Sequence, residues 1–241
     1  MYSPLMHDDA ERALGDVQVL LEDNHLLVID KPAGLLSQAA QAGDDCLLER
    51  CREYIRIRYD KPGKVFLGLV HRLDRNVSGT MVLARTSKAA SRLSRAFASR
   101  AVEKRYTALV CGRPAGEGEL VDRLGPRLEG RGVERRSDGK EARLRFTRLG
   151  HTVTHAVLEV ELLTGRKHQI RAQLAFAGCP ILGDPLYGVA SRSLRRPALH
   201  AHRLAFEHPV RKEPVVALSP LPAALTHAAS SLGLAMEWQQ F

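Results

Sequence analysis

The stretch from Leu69 to Thr86 carries the residues of this chain that best suit covalent chemistry. Apolar segments lead into it and out of it, and between them stands one carboxylate, Asp74, with Arg72 and Arg75 close by. Apolar flanks around a turn with Asn and Gly predict a strand–turn–strand frame. That frame would hold Asp74 rigidly, and the neighbouring guanidinium groups would favour its ionised form. A rigid, ionised carboxylate suits a nucleophile, whereas the plainer interpretation is a turn aspartate that bonds local backbone groups.

The overall charge indicates the kind of partner. The 241 residues carry a net charge of +9, with a pI near 9.7. This balance favours a polyanionic partner, and nucleic acid is the commonest one. Aromatic residues make up only 5% of the chain, which argues against a sheet or groove that stacks many bases. We therefore expect RNA to be bound by an electrostatic surface with a few specific contacts.

Cysteine usage and hydropathy indicate the compartment. The four cysteines form no CxxC pair and no disulfide framework, so we expect reduced residues in a cytoplasmic protein. His200 and His202 raise the alternative of a zinc site, but no cysteine lies near them in the sequence, so we predict no metal. The sequence has no signal-like N-terminus and no apolar run of membrane-spanning length. A soluble protein without a membrane partner is predicted.

The periodicity of the remaining chain predicts one catalytic domain over residues 16–241, with a mixed sheet, after a flexible tail over residues 1–15. Two apolar runs around Asp23 and Asn24 indicate a β-hairpin, and the spacing over residues 45–59 predicts an amphipathic helix. The predicted remainder is a helix from Ser87, a strand over 102–110, a loop or small hairpin over 112–140, strands near 142–146 and 158–162, a helix after Gly165, and short strands over 200–206 and 215–218.

Two basic segments are candidates for phosphate contact. The helix from Ser87 presents arginines and a lysine without acidic partners one turn away. The 112–140 segment forms a second candidate, an RNA-touching arm. Its arginines are Arg127, Arg131, Arg135 and Arg136.

Four segments together resemble the RluA-type pseudouridine synthases, the ribosomal large-subunit and tRNA pseudouridine synthases. HRLDRNVSG, at residues 71–79, is similar to the family signature HRLDxxTSG. LLVIDKPAGL (26–35), EKRYTALVCG (103–112) and TGRKHQIRAQLAFAGCPILGDPLYG (164–188) resemble its other motifs, in the family's order. The resemblance covers residues 17 to about 225. Four ordered motifs are far more specific than any one of them.

The resemblance implies an α+β protein with the pseudouridine synthase fold, a long mixed, largely antiparallel sheet with flanking helices and a central cleft. It implies isomerisation of selected uridines in structured RNA, in 23S rRNA, tRNA or both, without a cofactor and by a monomer. Asp74 would be the nucleophile and Arg171 its ionic partner, while Tyr106 would pack against the target base. Arg72 would help to flip out the target nucleotide, and Ile170 would line the uracil pocket.

The sequence departs from the family at two points. Val77 stands where the family usually has Thr or Ser, which removes a turn-stabilising hydroxyl. The S4-type RNA-binding domain of many relatives is not expected here, because only sixteen residues precede Val17. Two other functions stay open at this point, a non-catalytic RNA-binding or ribosome-assembly protein and an N-glycoside hydrolase. The hydrolase would need a second acid to activate water, and no such residue stands out.

Overall fold

The structure, a computed structural model, describes residues 4–189, 191 and 194–234. Its elements in chain order are α1 (Pro4–Leu14), β1 (Gln18–Glu22), β2 (Leu26–Lys31), α2 (Leu47–Arg58), β3 (Gly68–Leu69), β4 (Ser78–Ala84), α3 (Ser87–Ala98), β5 (Glu103–Cys111), β6 (Glu117–Pro126), β7 (Val133–Arg135), β8 (Lys140–His151), β9 (His155–Leu162), α4 (Gln169–Phe176), β10 (Leu199–Glu207), β11 (Pro214–Leu218) and α5 (Ala223–Ser231). Helices and mostly antiparallel strands mix along the chain, which confirms the predicted α+β class.

The chain divides into two compact units, a division that the sequence did not predict. The first comprises Met1–Val102 and Ala205–Leu218, and the second comprises Glu103–Leu204 and Ser219–Phe241. The boundary falls inside β10, so this strand contributes residues to both units. No helix among the described residues has the length and apolar character needed to cross a membrane.

The sheet of the first unit is built on its most apolar segments. Strand β2 pairs antiparallel with β1 on one side and with β4 on the other. Every residue of β4 is buried, and so are Leu26–Ile29 of β2. Runs without polar alternation are typical of strands that are covered on both faces. The predicted hairpin and the predicted helix over 45–59 are confirmed by β1, β2 and α2.

The N-terminal segment differs from its prediction. Pro4–Leu14 forms α1, where the sequence predicts part of a loose tail. Ala10 and Leu14 lie one helical turn apart, both are buried, and α1 packs against α2. This short apolar face forms a helix because α2 covers it, since short helices are marginal without tertiary packing.

The second unit is an antiparallel arrangement of strands with α4 packed beside it. Strand β9 pairs with β5 and β8, and β6 pairs with β8 and β7. The loop or small hairpin predicted over 112–140 is a hairpin, and its β6 arm continues the pairing with β8 from Glu117↔Thr147 to Leu124↔Lys140. The final helix α5 was not predicted.

Candidate active site

Asp74 lies in the connection between β3 and β4 of the first unit, which we call the Asp74 loop (residues 70–77). The predicted frame is present in reduced form, because β3 contains only two residues. Leu73 and Val77 are buried on either side of the half-buried Asp74, and the Val77 N–H donates to the Asp74 carbonyl at 3.1 Å. The buried valine and this backbone bond hold the turn at the position where the family usually has a hydroxyl.

A buried lysine fastens the Asp74 loop from behind. The Lys31 side chain is fully buried, and its Nζ donates to the carbonyls of Pro32 at 2.8 Å, Leu35 at 2.9 Å and Arg75 at 3.1 Å. Arg75 directly follows Asp74. An ammonium group inside a protein requires such acceptors, because burial without them is very costly. Lys31 therefore links the turn after β2 to the residue next to Asp74.

Main-chain and side-chain bonds add to this link. The Gly34 N–H donates to the Arg75 carbonyl at 2.8 Å, and Arg75 Nε donates to the Gly34 carbonyl at 2.9 Å. Gly34 has a φ of 96°, a value that favours glycine. Ser37 Oγ donates to the Leu73 carbonyl at 2.8 Å and accepts from the Leu73 N–H at 3.3 Å. The residues on both sides of Asp74 are thus fixed.

The predicted site residues divide between the two units. Asp74 and Arg72 belong to the first unit, and Arg72 is exposed. Tyr106, Ile170 and Arg171 belong to the second. Tyr106 lies on β5 opposite Val160 of β9 and is 7% exposed, and Ile170 in α4 is 4% exposed. Their predicted roles stay predictions.

Arg171 makes a two-point ionic contact inside the second unit. Its Nε and Nη2 donate to the two carboxylate oxygens of Asp184, at 2.7 and 2.9 Å. Arg171 is 7% exposed and Asp184 is 1% exposed. Sequence reasoning predicted that the guanidinium fork would hold Asp74. The Nε and Nη2 side of the fork holds Asp184 instead, and the predicted pairing of Arg171 with Asp74 stays a prediction.

Asp184 is itself held in place. Burial alone would raise the pKa of its carboxyl, but hydrogen bonds from Arg171 and from the N–H groups of Leu186 and Tyr187 outweigh burial and lower it. The Arg171 guanidinium lies over the Tyr187 ring at 5.4 Å. The Tyr187 hydroxyl accepts from the Val133 N–H at 2.6 Å. The turn after residue 183 therefore fixes the Arg171 guanidinium through the Asp184 carboxylate and the Tyr187 ring.

The first turn of α4 is fixed by a buried polar network. Helix α4 follows His168, whose φ of 53° is left-handed. Gln169 Oε1 accepts from Thr164 Oγ1 at 2.7 Å and from the Arg166 N–H at 3.0 Å. Gln169 Nε2 then donates to Gln173 Oε1 at 3.0 Å. Fully bonded networks of this kind make a helix start rigid, and Ile170 and Arg171 directly follow Gln169.

The arginines of the predicted RNA-touching arm differ in availability. Arg135 donates to Asp122 at 2.6 Å and lies over the Phe176 ring at 4.9 Å. Arg136 donates to both oxygens of Asp138, at 2.8 and 2.9 Å. Arg131 is exposed at the turn between β6 and β7. The sequence did not show that two of these four cations have acidic partners.

Three residues that shape the site were missed by sequence reasoning. Lys31 was given no role of its own, although it lies in the 26–35 segment that resembles the family and a lysine at the end of an apolar strand is unusual. Ser37 gave no signal. Asp184 was given no role of its own, although it lies in the 164–188 segment that resembles the family. In the part of the chain that the structure describes, no group of three or more His, Cys, Asp or Glu side chains could hold a metal ion.

Comparison with known proteins places the chain in a family. Residues 25–176 match the family described as RNA pseudouridylate synthase. The chain is 37% identical over 236 residues to ribosomal large subunit pseudouridine synthase D of Xanthomonas campestris, covering 90% of this chain and 69% of the relative. It is 35% identical over 223 residues to the uncharacterized RNA pseudouridine synthase YhcT of Bacillus subtilis, covering 87% of this chain and 70% of the relative.

Solved structures agree with this placement. Human RNA pseudouridylate synthase domain containing 4 has a TM-score of 0.78 at 26% identity, covering 96% of this chain and 98% of that chain. Human RNA pseudouridylate synthase domain containing 1, with a TM-score of 0.70 at 22% identity, shares the fold. The predicted pseudouridine synthase fold is confirmed.

The chain therefore belongs to the RNA pseudouridylate synthase family, and within it to the RluA type. It is an RNA pseudouridine synthase, an isomerase that converts uridine in RNA to pseudouridine.

Proposed function

We propose that this synthase modifies uridines of large-subunit ribosomal RNA and that Asp74 is its nucleophile. The observation that carries the proposal is the fixation of the Asp74 loop. Lys31 holds the carbonyl of Arg75 and Ser37 holds both polar groups of the Leu73 backbone, so the residues on either side of Asp74 are fixed. A carboxylate that must meet one sugar or base atom needs this positioning, because effective molarity depends on geometry.

The reaction explains why one carboxylate suffices. The N-glycosidic bond of the uridine breaks, the base rotates, and a C–C bond forms at the same sugar carbon. Asp74 would assist by attacking the sugar carbon, by attacking the ring or by abstracting a sugar proton. A glycosidase normally needs a second carboxylate to activate water. An isomerase instead excludes water from the intermediate.

The remaining predicted residues complete the proposed site. Tyr106 would pack against the target base and help to remove the proton from C5, and Ile170 would line the uracil pocket. Both side chains are largely buried, as base-packing residues in a closed site would be. Arg171 would pair with Asp74 from a position that Asp184 fixes. Arg72 is exposed, as a residue that takes the place of a flipped nucleotide must be.

The choice of RNA rests on the relatives. The Xanthomonas relative is named for the ribosomal large subunit, and this chain covers 69% of its length. The net charge of +9 suits any structured RNA and does not distinguish rRNA from tRNA. A monomer is part of the proposal, and light scattering of the purified chain tests it.

The test compares Asp74→Asn with Asp60→Asn. Asp60 is exposed after α2, so the second variant makes the same chemical change away from the proposed site. Total RNA from cells lacking the gene is treated with each protein, and pseudouridines in rRNA and tRNA are mapped. We expect Asp74→Asn to bind RNA and form no pseudouridine, while Asp60→Asn and wild type modify 23S rRNA.

Each other outcome contradicts a defined part of the proposal. Residual activity of Asp74→Asn above about 1% of wild type would remove Asp74 as the nucleophile, because losing a covalent catalyst removes several orders of magnitude in rate. Modification of tRNA alone would replace the proposed substrate. Release of free uracil without pseudouridine would indicate the hydrolase.

A further inference from the structure

A histidine continues the sheet of the first unit where β3 ends. Strand β3 pairs with β4 at Gly68↔Ala84 and Leu69↔Leu83, and then the chain leaves the sheet. Backbone N–H groups two residues apart on a strand face the same edge. The Val82 N–H, two residues before Ala84, donates to Nε2 of His71 at 3.0 Å. The imidazole thus takes the place of a backbone carbonyl.

This bond fixes the protonation state of His71. Because Val82 is the donor, Nε2 must carry a lone pair, and the ring proton of the neutral imidazole must be on Nδ1. Val82 is fully buried, so its N–H would lose its acceptor if Nε2 were protonated. The Phe97 ring stacks on the imidazole with centroids 4.5 Å apart and planes 20° apart, which holds the ring plane.

We propose that neutral His71 is a positioning residue for Asp74, and this inference rests on the proposed role of Asp74. His71 ties the first residues of the Asp74 loop to β4, and Ser37 ties Leu73, the residue just before Asp74. The chain between β3 and the Asp74 carboxylate is then fixed at His71 and at Leu73. Loss of the His71 bond would let the loop shift while β4 stays paired with β2.

The charged side chains of the Asp74 loop and of the helix that carries Phe97 are mostly cations. The residues of β3 and β4 include none. The Asp74 loop contributes Arg72, Asp74 and Arg75, and the helix that carries Phe97 contributes Lys88, Arg92 and Arg95, followed by Arg100. The neutral, accepting form of the imidazole therefore follows from the bond that Nε2 accepts from Val82, and not from these charges.

The proposal gives the reaction a specific pH dependence. Protonation of His71 at Nε2 should lower kcat, because the accepting form that holds the Val82 N–H is lost. An unperturbed imidazole titrates near pH 6.5, well above an unperturbed carboxyl near 4. In His71→Gln, an amide oxygen that does not titrate in this range can accept from Val82. This variant should keep a flat kcat down to the range in which carboxyl groups titrate.

The test measures kcat and KM of the full chain from pH 5 to 8.5, with total RNA from cells lacking the gene. At pH 8, His71→Gln should keep kcat within about threefold of wild type, and His71→Leu should lose at least tenfold in kcat with KM unchanged. Only wild type should show the acid limb that protonation of His71 causes. Circular dichroism reports folding, and if His71→Leu does not fold, the pH profile of His71→Gln decides.

Two outcomes overturn the proposal. One is a His71→Leu variant with wild-type kcat across the range, and the other is a His71→Gln variant that keeps the wild-type acid limb. Asp74→Asn, assayed in parallel, shows whether the proposed role of His71 or the proposed role of Asp74 has failed. If Asp74→Asn is inactive while both His71 variants match wild type, only the role of His71 is refuted.

Discussion

Replacing Lys31 by methionine tests how much of the Asp74 loop depends on one buried cation. Methionine keeps the length of the side chain, so little cavity forms. The change removes three hydrogen bonds to backbone carbonyls. The Arg75 carbonyl keeps the Gly34 N–H as a donor at 2.8 Å, whereas Pro32 and Leu35 lose the Lys31 donor.

The size of the effect follows from these carbonyls. A buried acceptor that loses its donor costs about 1–3 kcal/mol, which applies to the buried Leu35 carbonyl, and losing the bond to the part-buried Pro32 carbonyl adds about 0.5–1.5 kcal/mol. Not having to bury an ammonium offsets part of this, so we expect a loss of about 1–4 kcal/mol in the free energy of unfolding. Domains are typically stable by about 5–15 kcal/mol, so the variant should still fold.

The effect on activity should exceed the effect on binding. A displacement of about 1 Å at a catalytic group can cost about 100-fold in rate. Lys31→Met should therefore lose about 100-fold in kcat while its affinity for RNA changes less than threefold. Denaturant unfolding, single-turnover pseudouridine formation and filter binding measure the three quantities.

The matched control is Lys64→Met, which removes an exposed lysine from the same unit. It should unfold and react like wild type, since exposed charges contribute little. Wild-type unfolding and wild-type kcat in Lys31→Met would refute the reasoning, because the Pro32 and Leu35 carbonyls would then need no donor from Lys31.

Two further predictions concern buried ionisable groups. Arg171→Lys keeps a positive charge but loses the planar guanidinium group that binds both oxygens of Asp184. Asp184→Asn leaves the buried Arg171 guanidinium without its carboxylate, which should cost about 3–5 kcal/mol in the free energy of unfolding. Both should lower kcat well below wild type with little change in RNA affinity, and wild-type kcat in both would exclude a positioned Arg171 from the reaction. Burial lowers the pKa of His200 to about 4, so the native state stays neutral while the unfolded chain takes up a proton below about pH 6.5. This difference should cost about 3 kcal/mol of stability as the pH drops from 6.5 to 4. Carboxyl groups with lowered pKa values, such as Asp184, lose stability in both proteins, so denaturant unfolding should find a loss about 3 kcal/mol larger in wild type than in His200→Gln. Equal losses in the two proteins would contradict this assignment.

Sequence periodicity predicted those helices and strands whose buried residues repeat at regular spacing along the chain. Strand β2 and helix α2 are examples, because their apolar residues repeat at strand and helix spacing. Helix α1 was missed because its apolar face is short and depends on α2 for cover. The helix predicted from Ser87 begins there as α3, and its cap is the preceding residue, Thr86, whose side chain accepts from the Ala89 N–H at 3.2 Å.

The site was predictable in its residue types and not in its supports. Asp74 stands out because a carboxylate between arginines in an apolar stretch is chemically distinctive. The partners of its loop are backbone carbonyls far along the chain, such as the Arg75 carbonyl, 44 residues from Lys31. Every residue has a backbone carbonyl, so the sequence does not show which carbonyls a buried lysine will bind. The contact of Arg171 with Asp184 was missed because the two residues lie 13 positions apart, on a helix and in a later turn, so no sequence periodicity links them.

Cations that are held in internal ion pairs must be separated from the other cations before the net charge of +9 is attributed to RNA binding. Each internal ion pair is neutral and leaves the total unchanged, so the excess positive charge resides on the other cations. Arg171 neutralises Asp184, and Arg135 neutralises Asp122. Binding a phosphate through Arg135 would require it to leave its carboxylate, which reduces the net gain. Cations such as Arg72 and Arg131 are exposed, so RNA can reach them. The basic composition thus predicts the kind of partner, and the pattern of ion pairs indicates which cations are available to contact it.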